Sequence, residues 1–376
     1  MNIDIDYVEK HTIFECIVGS QAYGINTPES DIDKSGVIIP DKSYFFGLNH
    51  FEQFRGYPDE DKTMYDIRKA IRLIADNNPN MLDFIATPER CILKLWPWWQ
   101  KVIDNKNLFI SKKAKFTFSG YAIAQLERIR THRSYLLNPP KKQPERVDFG
   151  LPAECIFPTT QLKALINACM CDFLVEETKA DFFDALDAIY GDYIIPLFYK
   201  FTKENIRHVA MQWLQSGLKS NLNCLRSLGP TYIKEEYLDT AERELAHYCA
   251  CHEWQRYQSW LKSRNKKRAE LELKFGYDTK HGAHLVRLMR MGVEILQTGR
   301  INVDRTQIDA DELKEIKLGS WNYEQLEIYA KDMDDALSEM YKTSTLQKTC
   351  NFNAINDLCI NIVDDYMEAQ RAYSLS

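Results

Sequence analysis

Residues Gly19 to Asp33 read GSQAYGINTPESDID, between the apolar run IFECIVGS and the run KSGVIIP. A strand that ends on Gly19 and Ser20 offers close backbone approach at the glycine. It also exposes N–H groups and a hydroxyl able to hold a phosphate oxygen. Asp31 and Asp33 follow, separated by one residue. On extended backbone, residues two apart point to the same side, so both carboxylates face one spot and Ile32 is expected to face the core. Two carboxylates at close range repel each other unless a divalent cation lies between them. Mg²⁺ takes oxygen ligands and completes its shell with waters and substrate phosphates, so the pair points to Mg²⁺ or Mn²⁺ acting on an NTP. An Asp-x-Asp alone is common in surface turns; the ordered combination of strand, Gly-Ser, paired aspartates and second strand carries the reading.

The elements that must position these groups are short strands mixed with helices. HTIFECIVGS is β-branched and aromatic, NTPES has turn chemistry, and SGVIIP is a short apolar strand stopped by Pro40. DKTMY alternates, with Lys62 and Met64 on one face and Asp61, Thr63 and Tyr65 on the other. DIRKAIRLIADNN reads as a helix with Asp66 at the N-cap, and Pro79 ends it. Beyond about residue 110 the strand signal disappears. FSGYAIAQLERIRTHRSYLL, PTTQLKALINACMCDFLVEE, KADFFDALDAIYGDYII, NIRHVAMQWLQSGLK and GAHLVRLMRMGVEILQTG all carry helical periodicity, and NPPKKQPERVDFGLP is an extended connector. The expected fold is α+β: a catalytic domain over residues 1–115 and a large helical domain over 116–376, with the proline-rich connector at 138–158.

The chain of 376 residues is 45% hydrophobic and 27% charged, ample for a large core. No apolar run reaches membrane-spanning length and MNIDIDYVEK is acidic and polar, so no membrane association is expected and the cytoplasm is the default location. The ten cysteines lack the spacing of a disulfide framework. They crowd only at HYCACH, His247 to His252, where zinc competes with ordinary helix packing; on a helix Cys249 and Cys251 diverge, which favours packing. The net charge of −6 excludes bulk coating of nucleic acid. From Lys112 to Arg146, however, nine Lys and Arg stand against two Glu, a net +7 that reads either as a solvated face or as a phosphate-backbone surface. WPWWQ, with Trp96, Trp98 and Trp99, reads as packing before it reads as a base-stacking platform.

With its Gly-Ser and paired aspartates, the sequence resembles the nucleotidyltransferase superfamily related to DNA polymerase beta. The strings MYDIRKAIRLIADNNPNMLDF, FSGYAIAQLERIRTHRSYLLNPPKKQPERVDFGLP, GYDTKHGAHLVRLMRMGVEILQTGRINV and ELKEIKLGSWNYEQL look like the RNA-repair-associated (RlaP-type) nucleotidyltransferases. That resemblance implies a third carboxylate completing a two-metal site; Asp61 and Asp66 are the candidates, and Asp61 is chosen because Asp66 has a role as a helix cap. It also implies an RNA 3′ end as acceptor and RNA ligases or repair proteins as partners. Within KHGAHLVRL, Lys280, His284 and Arg287 recur at spacings of four and three, share a helix face and suit a triphosphate. Competing readings are nucleotidylation of a protein hydroxyl and a non-catalytic nucleotide-binding protein.

Overall fold

The computed structural model describes residues 3–28, 30–58, 60–153, 235–264 and 266–374. Contacts group the chain into two compact units, Met1–Leu137 with Asn265–Ser376, and Asn138–Arg264. The architecture is α+β, as the sequence led one to expect. All the described strands lie before residue 96.

In the first unit, helix α1 (Ile5–His11) leads into β1 (Thr12–Ile17), whose β-branched and aromatic residues are almost wholly buried. Strands β2 (Lys34–Ile38), β3 (Gln53–Phe54), β4 (Lys62–Asp66) and β5 (Ile92–Leu95) complete a five-stranded sheet in the order β3-β4-β2-β1-β5. Strands β2 and β4 run parallel, and the other pairs are antiparallel. Helix α2 (Ile67–Ala75) starts on the Asp66 cap and buries Ile67, Ala70, Ile71 and Ile74, the spacing that makes one apolar stripe. Helix α3 (Pro97–Asp104) adds Trp99 and Val102 to the same core. There Trp99 is fully buried and stacked on Phe14 at 5.2 Å, Trp98 meets Tyr366 edge-on, and Trp96 is half exposed. The tryptophan cluster is thus mainly core.

Helix α4 (Ala114–Leu137) belongs to the same unit. In the second unit, α5 (Glu235–Ser263) is one long helix. The first unit resumes with α6 (Lys266–Phe275), α7 (Thr279–Thr298), α8 (Ala310–Lys317), α9 (Tyr323–Thr343) and α10 (Phe352–Ser374). Helix α7 is the hub: it packs against α4, α8 and α9, and buries an apolar series from Ala283 to Leu296. The helices expected from PTTQLKALINACMCDFLVEE, KADFFDALDAIYGDYII and NIRHVAMQWLQSGLK lie outside the described residues. No described helix is long and apolar enough to cross a membrane.

Candidate active site

The sheet's topology brings the chemistry together. Ile17 at the end of β1 pairs with Lys34 at the start of β2, and Lys34 pairs with Lys62 at the start of β4. Because β1 runs against β2 while β4 runs with it, the exit of β1 and the entrances of β2 and β4 share one sheet edge. The ladder extends one residue beyond the strands, through Val18 N–H to Asp33 O at 2.9 Å and Lys34 N–H to Asp61 O at 3.0 Å. Gly19, Asp33 and Asp61 therefore hang from the same rim.

All eight residues singled out from the sequence, Gly19, Ser20, Asp31, Asp33, Asp61, Lys280, His284 and Arg287, line one cavity of about 920 Å³. Gly19 has φ +68°, the left-handed region that favours glycine, and a Cβ there would stand 3.1 Å from Asp33 Oδ2. The turn it begins is closed by Tyr23 N–H to Gly19 O and Ile25 N–H to Ser20 O. Asp61, Thr63 and Tyr65 all line the cavity, while Lys62, Met64 and Asp66 are buried on the other face, the alternation read from DKTMY. Asp66 caps α2, accepting from Arg68 N–H at 2.7 Å, and binds the Arg68 guanidinium.

One expectation is corrected. Asp31 to Asp33 precede β2 instead of lying within it, and Ile32 is 56% exposed, not directed to the core. The physical reason is the site's place at the rim: beyond the last ladder pair there is no core for the intervening residue to enter. The basic run, read as a solvated face or a phosphate-backbone surface, has part of its charge paired. Arg130 is held by Glu127 and Glu327, Arg133 by Glu324, Gly276 O and the Tyr323 ring, Lys113 by Asp76 and Lys142 by Asp148. Carboxylates far away in sequence, most of them on α9, take up much of the charge that the local count assigned to solvent. In HYCACH, Cys251 Sγ lies 3.3 Å from His247 Nε2, one helical turn back.

The electrostatics are those of an acidic half facing a cationic half. Burial raises the Asp33 carboxyl above its ordinary value; Asp61 and Asp31 push it the same way and Lys280 opposes. Asp33 thus senses both of the others, and among the described residues the three do not close to within 4.8 Å of one another. An all-oxygen donor set crowded by its own charge, with a glycine where a side chain would press on Asp33, fits a hard divalent cation. Opposite stand Lys280, in the first turn of α7, and Lys317, the last residue of α8. Burial lowers the Lys317 ammonium and Lys280 lowers it further. Two mutually repelling ammonium groups across from carboxylates suit a polyphosphate bridging to a metal.

The floor is different. Arg287 is buried, stacks over the Tyr23 ring at 3.6 Å and donates to Met291 Sδ at 3.0 Å. The Tyr23 hydroxyl donates to Asp83, whose carboxyl is pushed up to about 6 by burial, with Arg287 and Tyr23 opposing. His284 Nε2 is buried without a hydrogen-bond partner, and burial followed by Arg287 holds its imidazole down at about 3. The Lys280, His284 and Arg287 face is therefore split: Lys280 is exposed in the cavity, whereas His284 and Arg287 lie at depth. Lys317, Tyr23 and Asp83 were missed by sequence reasoning. Lys317 carried a weak signal as a cation in a helix's last turn, while Tyr23 and Asp83, sixty residues apart, carried none.

Residues 4–138 match the model of a family described as RlaP, RNA repair pathway DNA polymerase beta family. A protein of Enterobacteria phage T4, known as "Uncharacterized 38.9 kDa protein in nrdC-mobD intergenic region", is 26% identical over 129 residues, covering 31% of this chain and 38% of that protein. The chain thus spans less than two fifths of that relative's length. No solved structure matches it.

Proposed function

From a chain whose residues 4–138 fall in the RNA repair pathway DNA polymerase beta family, we propose a metal-dependent nucleotidyltransferase that moves an NMP from an NTP to the 3′ hydroxyl of an RNA. The observation that carries this reading is the convergence of Gly19, Ser20, the three aspartates and the two lysines on one cavity. Asp31, Asp33 and Asp61 are the residues that would hold divalent ions, whose chemistry is to lower the pKa of an attacking hydroxyl and steady the transferring phosphorus. Ser20 and the turn behind Gly19 hold phosphate oxygens at the rim, and Lys280 and Lys317 offset the charge of the departing pyrophosphate. The α–β phosphoanhydride bond breaks, the 3′ oxygen bonds to the α-phosphorus and pyrophosphate leaves.

The decisive assay offers each α-labelled NTP with Mg²⁺ or Mn²⁺ to the full chain, together with RNA or a protein extract. Label on RNA that is absent with Asp33→Asn supports the proposal; no label on any acceptor overturns it. A protein hydroxyl is the second reading, favoured by the engagement of Arg130 and Arg133 with carboxylates, which removes part of the argument for an RNA track.

A further inference from the structure

Next to Lys280, with His281 itself lining the cavity, a second group of metal-ligating side chains gathers from three helices and one connection. His132 comes from α4, Glu272 from α6, Asp278 from the turn before α7, and His281 from the first turn of α7. Ligand atoms of His132, Glu272 and Asp278 all lie within 4.8 Å of one another. His132 Nδ1 is 3.3 Å from Glu272 Oε1, and His281 Nε2 is 3.5 Å from Asp278 Oδ2. The two imidazole rings meet edge to face at 6.3 Å. Both carboxylates are only 2% exposed and His281 is 9% exposed.

We propose that His132, Glu272 and Asp278, with His281 beside Asp278, form a binding site for a zinc-class transition-metal ion, distinct in its ligands from the oxygen-only site at the rim. In a tetrahedron with bonds of about 2.1 Å, neighbouring ligand atoms stand about 3.4 Å apart; the His132–Glu272 pair, at 3.3 Å, matches that edge, and the fourth position is left for a water. A mixed set of one imidazole and two carboxylates, with a second imidazole beside it, suits borderline metals and is a poor site for Mg²⁺. The charges balance: the two buried carboxylates are neutralised by one dication, and the imidazole ligates as a neutral donor. Asp278 is oriented as metal ligands commonly are, since its Oδ1 accepts the His281 N–H at 3.1 Å while Oδ2 points at the cluster. The ion's role is structural. It ties α4 and α6 to the start of α7 and so fixes the turn that presents Lys280 to the cavity.

The test uses Co²⁺ as the probe on the intact chain, stripped with chelator and exchanged into buffer containing Mg²⁺ in large excess. One Co²⁺ per chain, with the strong visible absorption of four-coordinate cobalt, is expected. It should persist in the Asp31→Asn/Asp33→Asn double variant and fall at least about tenfold in affinity in His132→Gln and in Asp278→Asn. Asp278→Asn keeps an acceptor for the His281 N–H, so it reads the ligand role even where His132→Gln fails to fold. Absence of the absorption, its displacement by Mg²⁺, or its survival in Asp278→Asn overturns the proposal and leaves a metal-free ion cluster. Because the readout is cobalt and not nucleotide transfer, an inactive enzyme leaves it unaffected.

Discussion

His284 makes acid sensitivity of the fold a measurable property of this cavity. Its imidazole is held at about 3 by burial, reinforced by Arg287, His281 and Lys280 on its own helix and by Arg128 on α4, against an ordinary value of 6.5. A base whose folded pKa is depressed stays neutral in the native state while the unfolded chain takes up a proton. Stability is therefore fully present above 6.5 and is lost as the pH falls toward 3, at about 1.4 kcal/mol per pH unit for one proton. Between pH 6.5 and 5.0 the loss through His284 alone is about 2 kcal/mol, rising toward about 5 kcal/mol at pH 3. His284→Leu removes the titrating group, and because Nε2 has no partner to lose, the substitution should be neutral or stabilising at pH 7. The assay is urea unfolding of wild type and variant at half-unit steps from pH 7.5 to 5.0. The variant should lack the extra 2 kcal/mol decline; equal slopes would refute the reasoning, and so would a loss of more than about 1 kcal/mol at pH 7, since that means the imidazole has a bonding role.

Other substitutions test the rim. Asp31→Asn and Asp33→Asn should each abolish transfer, while melting temperature without added metal stays level or rises as carboxylate repulsion is relieved. Asp61→Ala should match them in activity, whereas Asp66→Ala should lose about 1–2 kcal/mol of stability from the cap and the Arg68 pair yet retain turnover; one activity assay and one melt separate the two. Gly19→Ala should cost about 1–2 kcal/mol through the positive φ and lose activity by crowding Asp33, read by denaturation and by label transfer. Replacing Arg130 and Arg133 with Gln should lower stability by about 1 kcal/mol and leave the salt dependence of RNA binding nearly unchanged, because both are already paired; a flattened slope would restore them as backbone contacts.

What could be read from the sequence was whatever depends on period and adjacency. The alternation of DKTMY placed Asp61 with Thr63 and Tyr65, and the Asp66 cap followed from the helix it starts. The spacing of Lys280, His284 and Arg287 put them on one side of α7, but period alone does not give depth along that side, so Arg287 beneath Tyr23 was not foreseeable. Ile32 was misread because alternation predicts a side, and only the end of a strand decides whether that side has a core. The pairing of the charge of residues 112–146 was invisible for a related reason. A window sums only local residues, and the balancing Glu324 and Glu327 arrive from α9, nearly two hundred positions away.

The cavity is assembled from two distant portions of the chain. Every carboxylate of the rim lies before residue 138, within the part that matches the family, whereas Lys280 and Lys317 arrive only after residue 264. A fragment cut after α4 would lose both helix-borne ammonium groups together with α7, the helix on which α4 packs, and with it half of a shared core. Two such pieces, residues 1–137 and 265–376, added together in trans, form a complementation pair. Whether activity returns on mixing would report how far the rim and the helices recognise each other without the segment that separates them in sequence.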